Sequence, residues 1–327
     1  MRYLLIDSGT SNSRIRLCDE KGSFKSVSKQ VGARDVAISG NNNVLKSSLR
    51  TCISEILKKN NIVISDIEAI IAAGMISSNV GLIDIPHISA PASITEIAKN
   101  LKTIYFPDIV DKEIIFIPGV KTGFNLENRL EEKDIMRGEE TEIFGYLESE
   151  QEENWEEVLF MHYGSHHKCI KVSSGNIVES RTSITGELLM AIAQNTILKS
   201  SLIPIDEVNV NIGMVREGVK AAEISGVGRT LFTTRILDVM EKRTSQELIN
   251  FYLGVLLHMD LELISVLMTQ YTKKIILYGK KLFPSITVDL IAERYPQIET
   301  ITISEEQSDF LSSKGAIKIY KKSLTWR

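Results

Sequence analysis

The sequence predicts an α/β protein of two domains, and three observations carry that expectation. The chain has 327 residues, more than one hydrophobic core usually organises. The stretch VLKSSLRTCISEILKK (44–59) places Val44, Leu45, Leu49, Ile53, Ile56 and Leu57 along one helical face, and IEAIIAAGM (67–75) follows it as a strand apolar on both faces. A helix leading into a fully buried strand implies helices layered on a sheet. Third, a strand–turn–strand device occurs twice, about one domain length apart.

The elements follow in order. Residues 3–7 and 14–18 are strand-length apolar runs, and DEKG (19–22) is a turn leading into SFKSVSK, so the chain opens as a three-stranded meander. The proline-bearing stretches IPHISAPAS, YFPD and FIPGV make 76–123 irregular chain with short elements. GEETEIFGYLESE (138–150) reads as a helix with its acids in the first turn, where the helix dipole favours them. The charged SEQEENW (149–155) is the expected domain boundary, giving domains 1–153 and 154–327. EVLFMHYGSHHKCIKVSSGNIVESRTS (157–183) is a second meander, in which Gly164-Ser165 falls where Gly9-Thr10 stood and SSGN replaces DEKG. Helices at 185–199, 245–271 and 307–322 and a strand at 273–279 complete the second half.

Composition excludes several classes. Lys and Arg total 38 against 42 Asp and Glu, a net charge of −4, with no basic stripe to follow a nucleic-acid backbone. The three cysteines, Cys18, Cys52 and Cys169, lack metal-ligand spacing and read as reduced thiols. YLLI before Asp7 is too short for a signal peptide, and no apolar run is read as membrane-spanning. The expectation is a cytoplasmic protein with small-molecule partners, no nucleic acid and no membrane; a homodimer is compatible with the sequence.

The first turn gathers unusual chemistry. In LLIDSGTSNSRIRL (4–17), Gly9 lets an anion approach the main chain, Thr10, Ser11 and Asn12 add short donors, and Arg14 can meet a phosphate oxygen. Asp7, at the end of a strand, can hold hydrated Mg²⁺ against that phosphate. The other reading is an ordinary hairpin whose Asp and Asn cap their own backbone. The second turn favours the anion-binding reading, since two such nests can clamp a nucleotide's phosphates. The chain contains neither a Walker loop nor a dinucleotide loop.

IDSGTSNSR resembles the first phosphate loop of glycerol-kinase-type sugar kinases, in the actin, Hsp70 and hexokinase superfamily. AAGMISSNVGL (72–82), PHISAPAS (86–93), FIPG (116–119), IMRGEETEIFG (135–145), GSHHK (164–168) and SITGEL (183–188) resemble, in the same order, the 2-dehydro-3-deoxygalactonokinase family. The resemblance implies two duplicated ribonuclease-H-like domains with an interdomain cleft. It also implies ATP-dependent phosphorylation of 2-dehydro-3-deoxy-D-galactonate to its 6-phosphate, in galactonate catabolism, with ATP and Mg²⁺ as cofactors.

Residue by residue, the resemblance makes Asp7 the organiser of Mg²⁺ through water and Gly9, Thr10, Ser11, Asn12 and Arg14 the first phosphate loop. Gly164, Ser165, His166 and Lys168 match the second loop, and Gly279 the third motif near the adenosine. Gly138-Glu139 stands where these kinases place a glycine and the catalytic base, so Glu139 is the expected base, with Glu140 and Arg137 in reserve. Gly74, Ser77, Ser78, Asn79 and Arg137 are expected to bind the sugar acid, with Arg235 a weaker candidate. The chain departs from the family pattern at Ser8 and Cys169, where tryptophans are usual, and in its third motif, YGKKLFPS (278–285), which carries Lys280 and Lys281. Those departures motivate one alternative, a non-catalytic sugar-acid or nucleotide sensor; a kinase for a related keto-deoxy acid is another, since the choice at one hydroxyl depends on pocket shape. A hydrolase of the exopolyphosphatase kind is a third reading, opposed by GMISSNVG and MRGEETE.

Overall fold

The structure, a computed structural model, describes residues 1–124, 129–150 and 157–325. The chain forms two compact units, one of Met1–Trp155, Val172–Glu179 and Glu306–Arg327, the other of Glu156–Lys171 and Ser180–Glu305. The boundary expected at 153/154 lies outside the described residues.

In the first unit, β1 (Tyr3–Ser8), β2 (Ser13–Cys18) and β3 (Phe24–Lys29) form the meander, followed by α1 (Ala33–Ser39), α2 (Asn43–Lys59) and β4 (Ala69–Gly74). Then come β5 (Ile88–Ser89), α3 (Ile94–Lys99), β6 (Lys102–Tyr105), β7 (Glu113–Phe116), β8 (Val120–Thr122), β9 (Asp134–Met136) and α4 (Glu139–Glu150). The main sheet runs β3-β2-β1-β4-β7-β6, and β5-β8-β9 is a smaller sheet. All six residues of β4 are buried, as its two-sided apolar pattern requires. Leu45, Leu49, Ile53 and Ile56 of α2 join Leu4, Ile6, Ile15, Ile70 and Phe116 in one core. Burying such a stripe supplies most of the helix's stability, since isolated helices of this length are marginal in water.

In the second unit, β10 (Glu157–Tyr163), β11 (His167–Ser173) and β12 (Asn176–Ser183) repeat the meander. They lead to α5 (Thr185–Asn195), α6 (Ile212–Ser225), α7 (Val227–Val239), α8 (Ser245–Leu267), β13 (Lys274–Gly279), α9 (Leu282–Arg294) and β14 (Glu299–Thr302). The sheet order is β12-β11-β10-β13-β14, the same pattern as β3-β2-β1-β4-β7. Register agrees as well, for β1 and β4 run parallel and end at Ser8 opposite Gly74, and β10 and β13 run parallel and end at Tyr163 opposite Gly279. The repeat read from two short turns is thus a repeat of five strands.

Two details differ from the sequence reading. The last helix, α10 (Glu305–Leu324), belongs from Glu306 onward to the first unit, as does the tip of the β11–β12 hairpin. That tip bridges Ala92 through Ile177, N–H to carbonyl in both directions at 2.8 and 3.0 Å. And α8 is long and apolar enough by composition to cross a membrane, contrary to the expectation that no run reaches that length. Of its most apolar stretch, 72% is buried; Ile249, Leu253, Leu256 and Leu257 fill the core of the second unit, so it is a core helix. The three cysteines are buried and free.

Candidate active site

The first loop is a turn closed by Gly9 N–H donating to Asn12 O at 2.9 Å. The carbonyls of Gly9 and Thr10 accept from Ala33 and Arg34 N–H at 3.1 and 2.9 Å. In a trans peptide the carbonyl and the following N–H point oppositely, so the Thr10 and Ser11 N–H groups aim away from α1. This is the geometry of an anion nest. Gly32 permits the approach, since a Cβ there would lie 2.6 Å from Thr10 O. In the second loop a Cβ on Gly186 would lie 2.6 Å from both Gly164 O and Ser165 O. The same close packing therefore aims the Ser165 and His166 N–H groups outward.

Asp7 sits one residue before the end of β1, with its side chain 43% exposed. Its Oδ2 accepts from Arg16 Nη2 at 3.1 Å, and Arg16, only 1% exposed, also donates to Asp309 Oδ1 at 2.5 Å. Arg14 is ion-paired to Asp309 Oδ2. Beside Asp7 lies Gly74, whose φ of +83° suits glycine and whose Cβ would stand 2.7 Å from Ser8 O and 3.5 Å from Asp7 Oδ1. Gly279 takes the equivalent position, with φ +110° and a Cβ that would meet Tyr163 O at 2.5 Å. The residue equivalent to Asp7 is His162, opposite Tyr278, whose ring lies 4.9 Å from the imidazole.

Gly138, at φ +118°, brings the start of α4 against Gly74, where its Cβ would lie 3.3 Å from Gly74 Cα. Glu139 curls back, its Oε2 accepting from Arg137 N–H at 3.1 Å. Glu140 is fully buried and receives Gly138 N–H at 2.9 Å on each oxygen. Burial, and next the neighbouring Glu139 charge, push the Glu140 carboxyl up to about 8. Glu140 is therefore mostly protonated at neutral pH. Arg137 donates from Nη1 to Ser77 Oγ at 2.8 Å and from Nη2 to Ile85 O at 2.8 Å, with the His87 ring nitrogens 3.2 Å from Nη2. Burial and the Arg137 charge lower His87 to about 4, so its imidazole is neutral.

Several expected residues are placed differently from one another. Ser77 Oγ donates to carbonyls of Gly74 or Ile117 while accepting from Arg137, and Ser78 Oγ donates to Met75 O at 2.7 Å. Their hydroxyls thus shape the loop, whereas Asn79 is exposed. His166 lies 3.3 Å from Glu187, and Lys168 is buried at 8% exposure. His167, between His166 and Lys168, is fully buried, pairs with Asp260 at 2.7 Å and packs against Tyr163 and Phe283. Arg235 pairs with Asp238 at 2.6 Å and Ser201 at 3.1 Å. Beside Gly186 and Lys280, a pocket of about 200 Å³ is lined by Leu189, Met190, Ile205, Asp206, Leu282 and Phe283.

Sequence reading missed Arg16, Asp309, Gly32, Gly186 and His87. Arg16 could have been found, because it is two residues from Arg14 on a strand and shares its face. Gly32 and Gly186 each begin a helix after a meander, a coincidence visible once VGARD is set beneath TGELL. Asp309 stands 293 residues from Arg16 and carried no local signal.

Two meander-and-crossover domains with matching nests define the class: this is the two-domain α/β fold of actin and hexokinase. The 2-keto-3-deoxy-galactonokinase family model matches residues 7–302. The chain belongs to that family. The 2-dehydro-3-deoxygalactonokinase of Escherichia coli (strain K12) is 28% identical over 180 residues, 55% of this chain and 52% of that protein. The chain thus spans about half the length of that curated relative. A solved structure from Sinorhizobium meliloti, provisionally described as a 2-dehydro-3-deoxygalactonokinase, superposes with TM-score 0.73 at 20% identity, over 96% of this chain and 97% of that one. The activator of 2-hydroxyisocaproyl-CoA dehydratase from Clostridium difficile, with bound ADPNP, superposes with TM-score 0.53 at 11% identity, over 100% of this chain and 97% of that one.

Proposed function

We propose that this protein is a cytoplasmic kinase that moves the γ-phosphoryl group of ATP onto the 6-hydroxyl of 2-dehydro-3-deoxy-D-galactonate, releasing ADP. The observation that carries the reading is the family match over residues 7–302, joined to two equivalent nests and an acid beside the first. Phosphoryl transfer depends chiefly on positioning and charge neutralisation, and each part has a residue. The Thr10 and Ser11 N–H groups bind phosphate oxygens in one unit, and Ser165, His166 and Lys168 in the other. The pocket beside Gly186 and Lys280 suits a nucleoside, with apolar walls and two charged side chains at its edge.

A half-exposed carboxylate fits Mg²⁺, which keeps several waters and shares its remaining positions with phosphate. Asp7, half-exposed near the end of β1 beside the first nest, is the side chain that would hold the ion. Bound there, Mg²⁺ would neutralise charge developing on the phosphates. Arg137, braced by Ser77 and neutral His87, faces the sugar acid's carboxylate. Glu139 takes the 6-hydroxyl proton as the new O–P bond forms and the bond to the ADP oxygen breaks. Glu140, already protonated, is the weaker candidate for that role.

The test is coupled ADP release with galactonate-derived and gluconate-derived keto-deoxy acids. ADP release requiring both Mg²⁺ and the galactonate-derived acid is expected, and Glu139→Gln should lower turnover about 100-fold or more with ADP affinity nearly unchanged. An unchanged rate in that variant removes Glu139 as base. The altered third motif, with Lys280 and Lys281, favours a second reading as a sensor. Binding of the acid without ADP release would establish it.

A further inference from the structure

Asp309, on the last helix, is used neither by the family resemblance nor by the chemistry above. It is nonetheless the tightest partner of the buried guanidinium that touches Asp7. We infer that Asp309 is a positioning residue: by taking the larger share of the Arg16 charge, it leaves Asp7 negative enough to hold Mg²⁺ at the first phosphate loop. This rests on the reading of Asp7 as the metal-organising residue.

Arg16 Nη2 lies 2.5 Å from Asp309 Oδ1 but 3.1 Å from Asp7 Oδ2, so the shorter, stronger bond goes to the residue that is not at the loop. Arg16 is 1% exposed, and its guanidinium carbon lies 5.4 Å from the Phe24 ring centre. Water reaches both carboxylates, Asp7 at 43% and Asp309 at 28% exposure, but not the guanidinium between them, so the two acids compete for a charge that solvent does not share. Arg14 and Arg16 balance Asp7 and Asp309, two positive charges against two negative ones. Neutralising Asp309 leaves an excess positive charge and releases Arg16 to neutralise Asp7, and both effects oppose a divalent cation.

The support for Asp309 is also specific. Helix α10 crosses α4 in backbone contact, where a Cβ on Gly315 would lie 1.9 Å from Thr141 O and one on Gly145 1.9 Å from Leu311 O. Thr141 and Ser312 hydroxyls meet at 3.1 Å, and Ser308 donates to Glu142 at 2.8 Å. One helix therefore fixes both the Arg16 network and the helix that begins at Glu139.

The experiment is calorimetric ADP binding with Mg²⁺ and with EDTA, which needs no turnover. The readout is the factor by which Mg²⁺ tightens ADP. Asp7→Asn should reduce that factor, and Asp309→Asn should reduce it about tenfold, in the range seen when groups orienting a metal ligand are removed. Asp309→Glu should restore it, and the double variant Asp7→Asn with Asp309→Asn should fall no further than Asp7→Asn alone. Lys318→Gln removes the 2.7 Å pair between α10 and Glu148 and should leave the factor within about twofold, as exposed ion pairs contribute little. If Asp7→Asn reduces the factor and Asp309→Asn does not, the positioning role is overturned. If Asp7→Asn itself has no effect, the reading of Asp7 fails instead. Asp309→Ser, smaller and neutral, carries the same expectation should the asparagine variant not fold.

Discussion

Glu139 and Glu140 are adjacent, identical side chains with different partners: Glu139 accepts from Arg137 N–H and Glu140 from Gly138 N–H. Glu140 is sealed beneath Gly138 and its carboxyl is raised to about 8 by burial. An unfolded glutamate releases its proton near its ordinary value of about 4.3, so between that pH and 8 the folded chain binds the extra proton. Stability is therefore greatest on the acid side of this window and declines as pH rises through it. Glu140→Gln mimics the protonated form and should flatten that decline, with denaturation midpoints close to wild type at pH 5 and higher at pH 8.5. An equal slope in both proteins would contradict the burial argument. The pair of acids was legible in the sequence; the raised carboxyl of Glu140 was not, because desolvation depends on what packs above it.

Among elements, the crossing of α4 and α10 is the most demanding. A methyl group on Gly315 would meet Thr141 O and, at 2.7 Å, Gly145 N. These are backbone atoms that cannot swing aside. Gly315→Ala should destabilise by about 2–3 kcal/mol, the cost of overpacking a tight contact, read as a shift in urea midpoint without a change in slope. A midpoint within error of wild type would show that the helices separate easily. Helix α10, expected over 307–322, spans Glu305–Leu324. Its partner was not legible in the sequence, because helical periodicity identifies a buried face without naming what buries it. Helices α6, α7 and α9 have no counterpart in the sequence reading.

For the whole molecule, nucleotide binding and stability are linked. A ligand bound only by the folded state adds about 2.7 kcal/mol at 100 times its dissociation constant. ADP with Mg²⁺ should therefore raise the unfolding temperature in a concentration-dependent way, and Lys280→Ala, at the edge of the Gly186 pocket, should lessen the rise. Failure of ADP to shift the transition would remove the nucleotide from that pocket. By itself the sequence determined the α/β class, the two meanders, the helix before the buried strand and the ordered motifs that led to the family. Those features are local, set by side-chain periodicity, turn chemistry and short motifs. Only the tertiary structure decided that the repeat covers five strands, that the chain's last helix returns to the first unit, and that Asp309 shares Arg16 with Asp7. Burial and charge pairing act between residues hundreds of positions apart, and such contacts exist only once the chain has folded.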